Sequence, residues 1–514
     1  MIISDILNKT AAVFPDNTAV IYLDESITYK QLNSKVSRLA EFLKKQSYPD
    51  DARIGVFFEN SIDYIVAYFA VLRAGYVVIP LDTSLHEEKL NKILHDSNIS
   101  TLCVGFKFQR LFKKLYTLNH PVKEIISEKE FKLKDDSITY RSFIDIFNDQ
   151  VIEPESGLNL LNWDDAKQAP HELAAIFYTS GSTGEAKGVM LSHKNLISNT
   201  IGTNEYLKLT EKDSVMVILP FYYIYGNSLL LTHISTGGTL VIDNRFMYAE
   251  TILDTMQNEK VTGLSGVPSN FMILLNKSTL TERNFPNLRY FTQAGGAMAP
   301  DVIRKLHDAF PDKEIYIMYG QTEASPRVTW LPPEKLLEKL GSIGIEVKGV
   351  DVKILKEDGT ETSTDETGEI VVGGDSIMLG YWNQPEEQSA VLKDGWLYTG
   401  DLAKRDKDGY IYIVGRKKEI IKSGGNRISV KEVEETLLTN QKIHEVAVFG
   451  VEDDIFGEAV KAVIVLKENE IADDKEIQKF IRSILPEFKV PKYIDFVDIL
   501  PKTQAGKIDK KQLK

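Results

Sequence analysis

A run of small polar residues followed by a lysine, near the middle of the chain, has the composition of a polyphosphate site. The run is Thr179, Ser180, Gly181, Ser182, Thr183 and Gly184, and Lys187 and Gly188 follow it. Backbone N–H groups in a glycine-rich loop, hydroxyls and an ammonium group can together surround phosphate oxygens. The run is not a Walker A loop, in which a serine or threonine must follow the lysine.

The alternative for this run is a flexible Gly/Ser linker. An apolar stretch, Leu173–Tyr178, leads directly into it and predicts a buried strand. A strand on one side and a positioned lysine on the other therefore favour a phosphate-binding loop.

A second segment, Met318–Glu323, places chemically useful side chains at the end of a predicted strand. Tyr319 could stack on an aromatic base, Thr322 could donate to a phosphate, and Glu323 could bind Mg²⁺. On its own, the same segment is equally compatible with a strand end and a polar loop.

Further candidates come later in the chain. Asp401 follows a glycine and could accept hydrogen bonds from ribose hydroxyls, and Arg416 could bind ribose or phosphate oxygens. Lys507 lies in a glycine-containing tail and could stabilise charge that develops during a reaction. As isolated fragments, these are also compatible with an exposed hairpin and a solvated basic terminus.

The composition limits the class of protein. With 514 residues the chain exceeds what one hydrophobic core usually serves, and 43% apolar with 26% charged residues is typical of globular proteins. The 61 basic and 74 acidic residues give a net charge of −13, which argues against non-specific nucleic-acid binding. The single cysteine, Cys103, excludes an intramolecular disulfide and is predicted to be a core thiol.

The sequence predicts a cytoplasmic protein without a membrane span. The N-terminus lacks the basic region of a signal peptide and carries an early acidic residue, Asp5. The most apolar stretch, 64–80, is interrupted by Arg73 and Gly75, which favours a helix, a turn and a strand.

The predicted fold class is α/β, because strands alternate with helices of about ten residues through 51–104 and again through 214–319. This pattern predicts a large N-terminal domain of two doubly wound sheets. Ligands in such sheets bind beyond the carboxyl ends of the strands, where the small-residue loops 179–184, 294–297 and 320–325 occur. A small β-subdomain is predicted from about residue 345, and a small α+β domain follows Arg416.

Together these segments resemble the adenylate-forming, AMP-binding superfamily of acyl-CoA synthetases, carrier-protein ligases and luciferases. The resemblance covers about residues 8–510, with motifs in the family's order. The matching segments are 178–188, 219–226, 295–297, 319–323, 398–401, 415–435 and 501–507.

The resemblance implies a role for each segment. The loop with Lys187 would hold the ATP phosphates, Thr322 would contact the α-phosphate, Glu323 would bind Mg²⁺, and Lys507 would act in adenylation. Gly295, Gly296 and Ala297 would line the adenine slot, and Tyr319 would stack on the base. Gly320 and Gln321 would also belong to the ATP site, and Asp401 and Arg416 would hold the ribose. Domain boundaries at 1–417 and 418–514 would make Lys418 the hinge of a mobile C-terminal domain. Gly424, Gly425 and Arg427 would line the thiol tunnel.

The acyl pocket would comprise Tyr223, Gly226, Gly266, Val267 and Met298. Peptide-synthetase domains place an Asp on the aromatic helix to pair the substrate ammonium. No acidic residue occurs in 221–228, which disfavours an α-amino acid because a buried ammonium needs a partner. Many aryl- and acyl-CoA ligases have His where this chain has Tyr223, and Tyr223 is alternatively a core aromatic.

The implied reaction is ATP-dependent activation of a small or medium carboxylic acid as acyl-AMP, followed by transfer to a thiol. The implied cofactors are ATP, Mg²⁺ and CoA, with the phosphopantetheine of a free-standing acyl carrier protein as the alternative acceptor. A non-catalytic nucleotide-binding regulator and an unrelated ATPase are the alternatives from other classes.

Overall fold

The computed structural model describes residues 1–46, 48–132, 134–147, 152–180, 186–423, 426–453, 455–502 and 508–513. In chain order the strands are β1 (Thr18–Tyr22), β2 (Glu25–Thr28), β3 (Arg53–Phe57), β4 (Val77–Pro80), β5 (Thr101–Val104), β6 (Glu124–Ser127), β7 (Thr139–Ser142), β8 (Leu173–Ser180), β9 (Ala186–Ser192), β10 (Ser214–Val217), β11 (Thr239–Ile242), β12 (Gly263–Gly266), β13 (Tyr290–Gln293), β14 (Glu314–Gly320), β15 (Arg327–Leu331), β16 (Ile345–Glu346), β17 (Val350–Leu355), β18 (Gly368–Gly374), β19 (Gly380–Tyr381), β20 (Leu392–Lys393), β21 (Trp396–Arg405), β22 (Ile411–Arg416), β23 (Ile420–Ser423), β24 (Asn426–Ser429), β25 (Ile443–Asp453), β26 (Gly457–Leu466) and β27 (Tyr493–Phe496).

The helices connect these strands for most of the chain. They are α1 (Asp5–Val13), α2 (Tyr29–Lys44), α3 (Ile62–Arg73), α4 (Glu87–Asp96), α5 (Gln109–Leu115), α6 (Phe143–Ile146), α7 (Trp163–Gln168), α8 (His193–Leu207), α9 (Ile224–Thr236), α10 (Ala249–Asn258), α11 (Pro268–Lys277), α12 (Pro300–Ala309), α13 (Pro385–Val391), α14 (Val430–Leu438) and α15 (Asp474–Arg482).

Within the described residues, the first sheet has nine strands in the order β16-β15-β14-β13-β12-β10-β11-β1-β2. The strands from β14 to β1 pair in parallel, and antiparallel strands flank them at both ends. The carboxyl ends of the parallel strands therefore lie along one edge, which brings the loops after β12, β13 and β14 together.

The second sheet has eight strands among the described residues, in the order β19-β9-β8-β4-β3-β5-β6-β7. Its central strands pair in parallel. Its core is aliphatic and aromatic, and the buried side chains include Phe57, Ile79, Leu102, Phe112 and Ile125. Cys103 is fully buried in β5, as the sequence predicts.

The region of the predicted phosphate loop contains a strand that sequence reasoning missed. Strands β8 and β9 form an antiparallel hairpin in which Thr179 pairs with Lys187. Lys187 therefore lies on a strand and not in a loop. The helix after β9 begins at a capping box, in which the Ser192 side chain accepts from the Asn195 backbone N–H.

By its internal contacts the chain divides into two compact units. The first comprises Met1–Leu340, Gly344–Val352 and Val372–Leu397, and the second comprises Gly341–Ile343, Lys353–Val371 and Tyr398–Lys514. The predicted α/β class, with a large N-terminal and a smaller C-terminal domain, is confirmed. The exact boundary at residue 417 stays a prediction.

The predicted β-subdomain corresponds to a third sheet, in the order β17-β18-β21-β20 with β22 paired to β21. The C-terminal segment adds a fourth sheet, in the order β24-β23-β26-β25 with β27 paired to β26. Two helices cover its apolar face, and the buried side chains include Val433 of α14 and Ile477 of α15. Asp473 caps α15 by accepting from the Glu476 backbone N–H, which explains why this helix begins there.

Candidate active site

Three charged or polar side chains of the first unit meet around the ring of Tyr381. Lys187 forms an ion pair with Glu387 of α13, and its Nζ lies 5.1 Å from the centre of the Tyr381 ring. The Tyr381 hydroxyl donates to Oε1 of Glu323 over 2.8 Å. A cation suited to phosphate and a carboxylate suited to a metal therefore lie on either side of one tyrosine.

Tyr381 is held there by the pairing of β19 with β9, in which it lies opposite Val189. Burial first, and then the charge of Glu323, raise the pKa of the Tyr381 hydroxyl. The hydroxyl consequently stays protonated at neutral pH and keeps donating to the Glu323 carboxylate.

The residues present fit the proposed Mg²⁺. Glu323 is partly buried. It follows Tyr319 and Gly320 at the end of β14 and Gln321 just beyond that end, all of them partly exposed. Among the described residues there is no group of three or more His, Cys, Asp or Glu side chains that could hold a metal. One carboxylate suits Mg²⁺ bound to a nucleotide, because this ion takes most of its other ligands from phosphate oxygens and water.

The backbone at the predicted adenine slot is exposed to solvent. Gly295, Gly296 and Ala297 are exposed directly after β13, and Gly295 has a positive φ of 83° that favours glycine. The Gln293 amide donates to the Gly296 carbonyl over 2.8 Å and fixes the turn. A flat base could therefore approach this backbone closely. Met298, predicted for the acyl pocket, is buried behind it.

The aromatic segment before α9 is fixed by a residue that sequence reasoning missed. The side-chain amide of Asn60 donates to the Leu219 carbonyl over 2.9 Å and accepts from the Phe221 N–H over 2.8 Å. Gly226 then lies so close to the preceding turn that an added Cβ would stand 2.1 Å from the Pro220 oxygen. Only glycine fits at this predicted pocket position.

Tyr223 is 36% exposed, and its hydroxyl donates to Oδ2 of Asp82 over 3.2 Å. Burial first, and then the Asp82 charge, raise the pKa of Tyr223, so this side chain is neutral at physiological pH. It lies against Tyr222, with ring centres 4.7 Å apart. This partial exposure fits the predicted pocket role better than the alternative of a core aromatic.

Tyr225, two residues on, is buried, as is Phe221. Its hydroxyl lies 3.0 Å from both the carbonyl and the hydroxyl oxygen of Thr292, and the hydroxyls of Ser265 and Thr292 are 2.7 Å apart. These contacts tie α9 to β12 and β13, next to the predicted pocket residues Gly266 and Val267.

In the second unit, Asp401 and Arg416 lie opposite each other on β21 and β22. Nε of Arg416 lies 2.9 Å from Oδ1 of Asp401, and the carboxylate is buried whereas the guanidinium is exposed. The two predicted ribose residues are therefore brought together as an ion pair.

Several predicted residues lie outside the described part of the structure. They are Gly181, Ser182, Thr183, Gly184, Gly424, Gly425 and Lys507, together with the side chains of Ser180, Lys418 and Arg427. Their roles stay predictions. No helix in the described ranges is long and apolar enough to cross a bilayer.

Comparison with known proteins decides the family. A family model described as AMP-binding enzyme matches residues 7–382, and a second, for the C-terminal domain of AMP-binding enzymes, matches 432–507. The chain belongs to the AMP-binding enzyme family. The resemblance inferred from the sequence motifs is thereby confirmed.

Relatives of this AMP-binding enzyme include acid–CoA ligases. It is 32% identical to a long-chain-fatty-acid–CoA ligase of Bacillus subtilis, over 99% of this chain and 94% of the relative. It is 31% identical to an oxalate–CoA ligase of Arabidopsis thaliana, over 99% of this chain and 97% of the relative. The AMP-binding enzyme described here is an AMP-forming ligase of the acyl-CoA synthetase type, as predicted.

A solved structure shares the whole fold. The o-succinylbenzoate CoA synthetase of Bacillus subtilis, in complex with its acyl-adenylate intermediate, is 27% identical with a TM-score of 0.83, over 99% of this chain and 97% of that one. The same synthetase has been solved in complex with ATP and a magnesium ion, with 26% identity and a TM-score of 0.81.

Proposed function

We propose that this enzyme activates a small or medium carboxylic acid as acyl-AMP, releases pyrophosphate, and transfers the acyl group to CoA. The observation that carries the proposal is the meeting of Lys187 and Glu323 around Tyr381. A cation suited to phosphate and a carboxylate suited to a metal, 136 positions apart by their residue numbers, lie on either side of one tyrosine. Glu323 follows the carboxyl end of β14, which is where α/β sheets bind ligands.

The first step needs neutralisation of negative charge. A carboxylate is a poor acyl donor, and its attack on the α-phosphate of ATP displaces pyrophosphate and leaves an acyl-adenylate. Lys187 would hold the leaving phosphates and Thr322 the α-phosphate, while Lys507 would stabilise the charge shared between phosphate and carboxylate. Mg²⁺ bound at Glu323 would supply further neutralisation of the phosphate charge.

Lys187 needs to exchange partners for this step. Its ammonium is paired with Glu387 in this structure, and the Glu387 side chain is 42% exposed. Because an exposed carboxylate loses little when it returns to water, phosphate oxygens can replace it on Lys187. Glu387 would then pair with Lys187 again after pyrophosphate leaves.

The second step makes different demands, because a thiol displaces AMP and little phosphate chemistry remains. We propose that the C-terminal domain, 418–514, serves both steps by rotating about Lys418, which presents Lys507 first and Gly424, Gly425 and Arg427 later. Asp401 and Arg416 would keep the ribose in place throughout.

Sequence similarity does not identify the carboxylic acid substrate. The relatives named for long-chain fatty acids and for oxalate share 32% and 31% of their residues with this chain. A small or medium acid is supported by the partly exposed aromatic side chain of Tyr223 at the predicted pocket. CoA is supported by the CoA ligase relatives, and an acyl carrier protein stays the alternative acceptor.

Product analysis tests this proposal. We expect the purified protein, given ATP, Mg²⁺, CoA and a panel of acids, to form AMP, pyrophosphate and one or a few acyl-CoA adducts detected by mass. A parallel reaction with a phosphopantetheinylated carrier protein instead of CoA tests the alternative acceptor. ADP or phosphate without AMP would indicate an ATPase, and ATP binding without turnover of any acid would indicate a regulator.

A further inference from the structure

Arg327 is a buried cation that has no role in the proposed reaction. It begins β15, opposite Gly320 at the end of β14, and it is 2% exposed. Its backbone is fixed on both sides by Asn199, whose Oδ1 accepts from the Arg327 N–H over 3.1 Å and whose amide donates to the Arg327 carbonyl over 2.8 Å. The position of this side chain is therefore set by the fold.

The guanidinium lies on an aromatic face and has no acidic partner among the described residues. Its central carbon lies 4.1 Å from the centre of the Tyr225 ring, and its Nε is buried without a hydrogen-bond partner. By contrast, the partly buried Arg289 lies 2.9 Å from Asp213 and 3.0 Å from Glu314. The guanidinium also forms a hydrogen bond with the neutral side chain of Tyr206. A buried charge without a counter-ion is costly, and a neutral hydroxyl and an aromatic face compensate for only part of that cost.

The guanidinium lies next to residues of the predicted substrate sites. Tyr225, on which it lies, directly precedes Gly226 of the predicted acyl pocket and is bonded to Thr292 at the end of β13. The next residue, Gln293, has a buried Oε1 that also lacks a partner. On its other side, Arg327 is paired with Gly320 in the predicted nucleotide segment. This cation without an acidic partner among the described residues thus lies between the predicted acyl pocket and the predicted nucleotide segment.

We propose that Arg327 binds a second acidic group of the substrate, so that the preferred acids are dicarboxylic. This inference rests on the proposed ligase function and deepens it by naming the substrate class. A carboxylate on the far end of the acid would supply the missing counter-ion and would form charge-assisted hydrogen bonds with the guanidinium. A purely aliphatic tail would leave that charge uncompensated.

The test uses acid-dependent ATP–pyrophosphate exchange with pairs of mono- and dicarboxylic acids of equal length, from four to ten carbons. We expect the wild type to prefer a diacid through a lower KM. In Arg327→Met, we expect kcat/KM for that diacid to fall about 100-fold, with the monoacid of equal length within about threefold of its wild-type value. Arg327→Lys should retain part of the preference, and Arg304→Met, an exposed arginine on α12, should retain all of it.

Several results would overturn the proposal. If the wild-type enzyme prefers monocarboxylic acids, the proposal is overturned. This result needs no variant, so the test stays valid even if Arg327→Met folds poorly. An equal loss for all acids would assign Arg327 a structural role, and a raised KM for ATP with every acid would assign it to phosphate. If no acid supports exchange, the proposed ligase function is overturned, and this inference with it. If only monocarboxylic acids support exchange, the ligase function stands and this inference alone is overturned.

Discussion

Replacing Lys507 with alanine is expected to lower the rate of acyl-adenylate formation about 1,000-fold, because one preorganised cation at a developing charge contributes on the order of 3–4 kcal/mol. Thioester formation from pre-made acyl-adenylate should stay within about threefold of the wild-type rate, since the thiol step creates little new phosphate charge. Single-turnover measurements of each half-reaction separate the two effects.

Lys502→Ala is the matched control for this variant. Lys502 lies on the same tail and pairs with Glu445 over 2.6 Å, and it has no proposed role in either step. We expect both half-reactions to be unchanged. If Lys507→Ala slows both half-reactions equally, the proposed alternation of the C-terminal domain is contradicted.

Replacing Glu323 with glutamine is expected to lower kcat/KM for Mg·ATP at least about 100-fold, because an amide is a much weaker ligand for Mg²⁺ than a carboxylate. The substitution keeps the shape of the side chain and leaves an oxygen that can still accept from the Tyr381 hydroxyl. Titration of activity with Mg²⁺ at fixed ATP should show a rightward shift in the variant.

Tyr381→Phe provides a graded comparison on the same carboxylate. It removes the 2.8 Å hydrogen bond to Glu323 and leaves the charge in place, so we expect only about a tenfold loss. Equal losses in Glu323→Gln and Tyr381→Phe would argue that Glu323 acts through its charge-assisted hydrogen bond with Tyr381 instead of by binding the metal. Circular dichroism and thermal unfolding should show both variants folded.

The motifs predicted the placement in the fold of those candidate site residues that depend on local sequence. Glu323 and Gly295 follow strands at which backbone geometry and side-chain chemistry are set within a few residues. The same is true of the fold class, because the alternation of strands and helices is a local pattern. Segment 219–226 was also recognisable as a motif, although the structure was needed to show how closely Gly226 approaches Pro220.

Other parts depend on pairings between distant segments. Tyr381 and Glu387 contact Glu323 and Lys187 across 58 and 200 positions, and they do so because β19 pairs with β9. From sequence alone, an arginine such as Arg327 is expected at the surface. Its packing against the Tyr225 ring, which buries it, is visible only in the structure. Such placements are set by tertiary structure, to which a single sequence gives little access.

The most direct test of the account is isotope exchange between pyrophosphate and ATP in the wild-type enzyme, measured without any thiol. Reversible formation of an acyl-adenylate predicts that label enters ATP only when a suitable carboxylic acid is present, and that CoA is not required. Exchange that is independent of the acid, or ATP hydrolysis without AMP and without exchange for every acid in the panel, would contradict it.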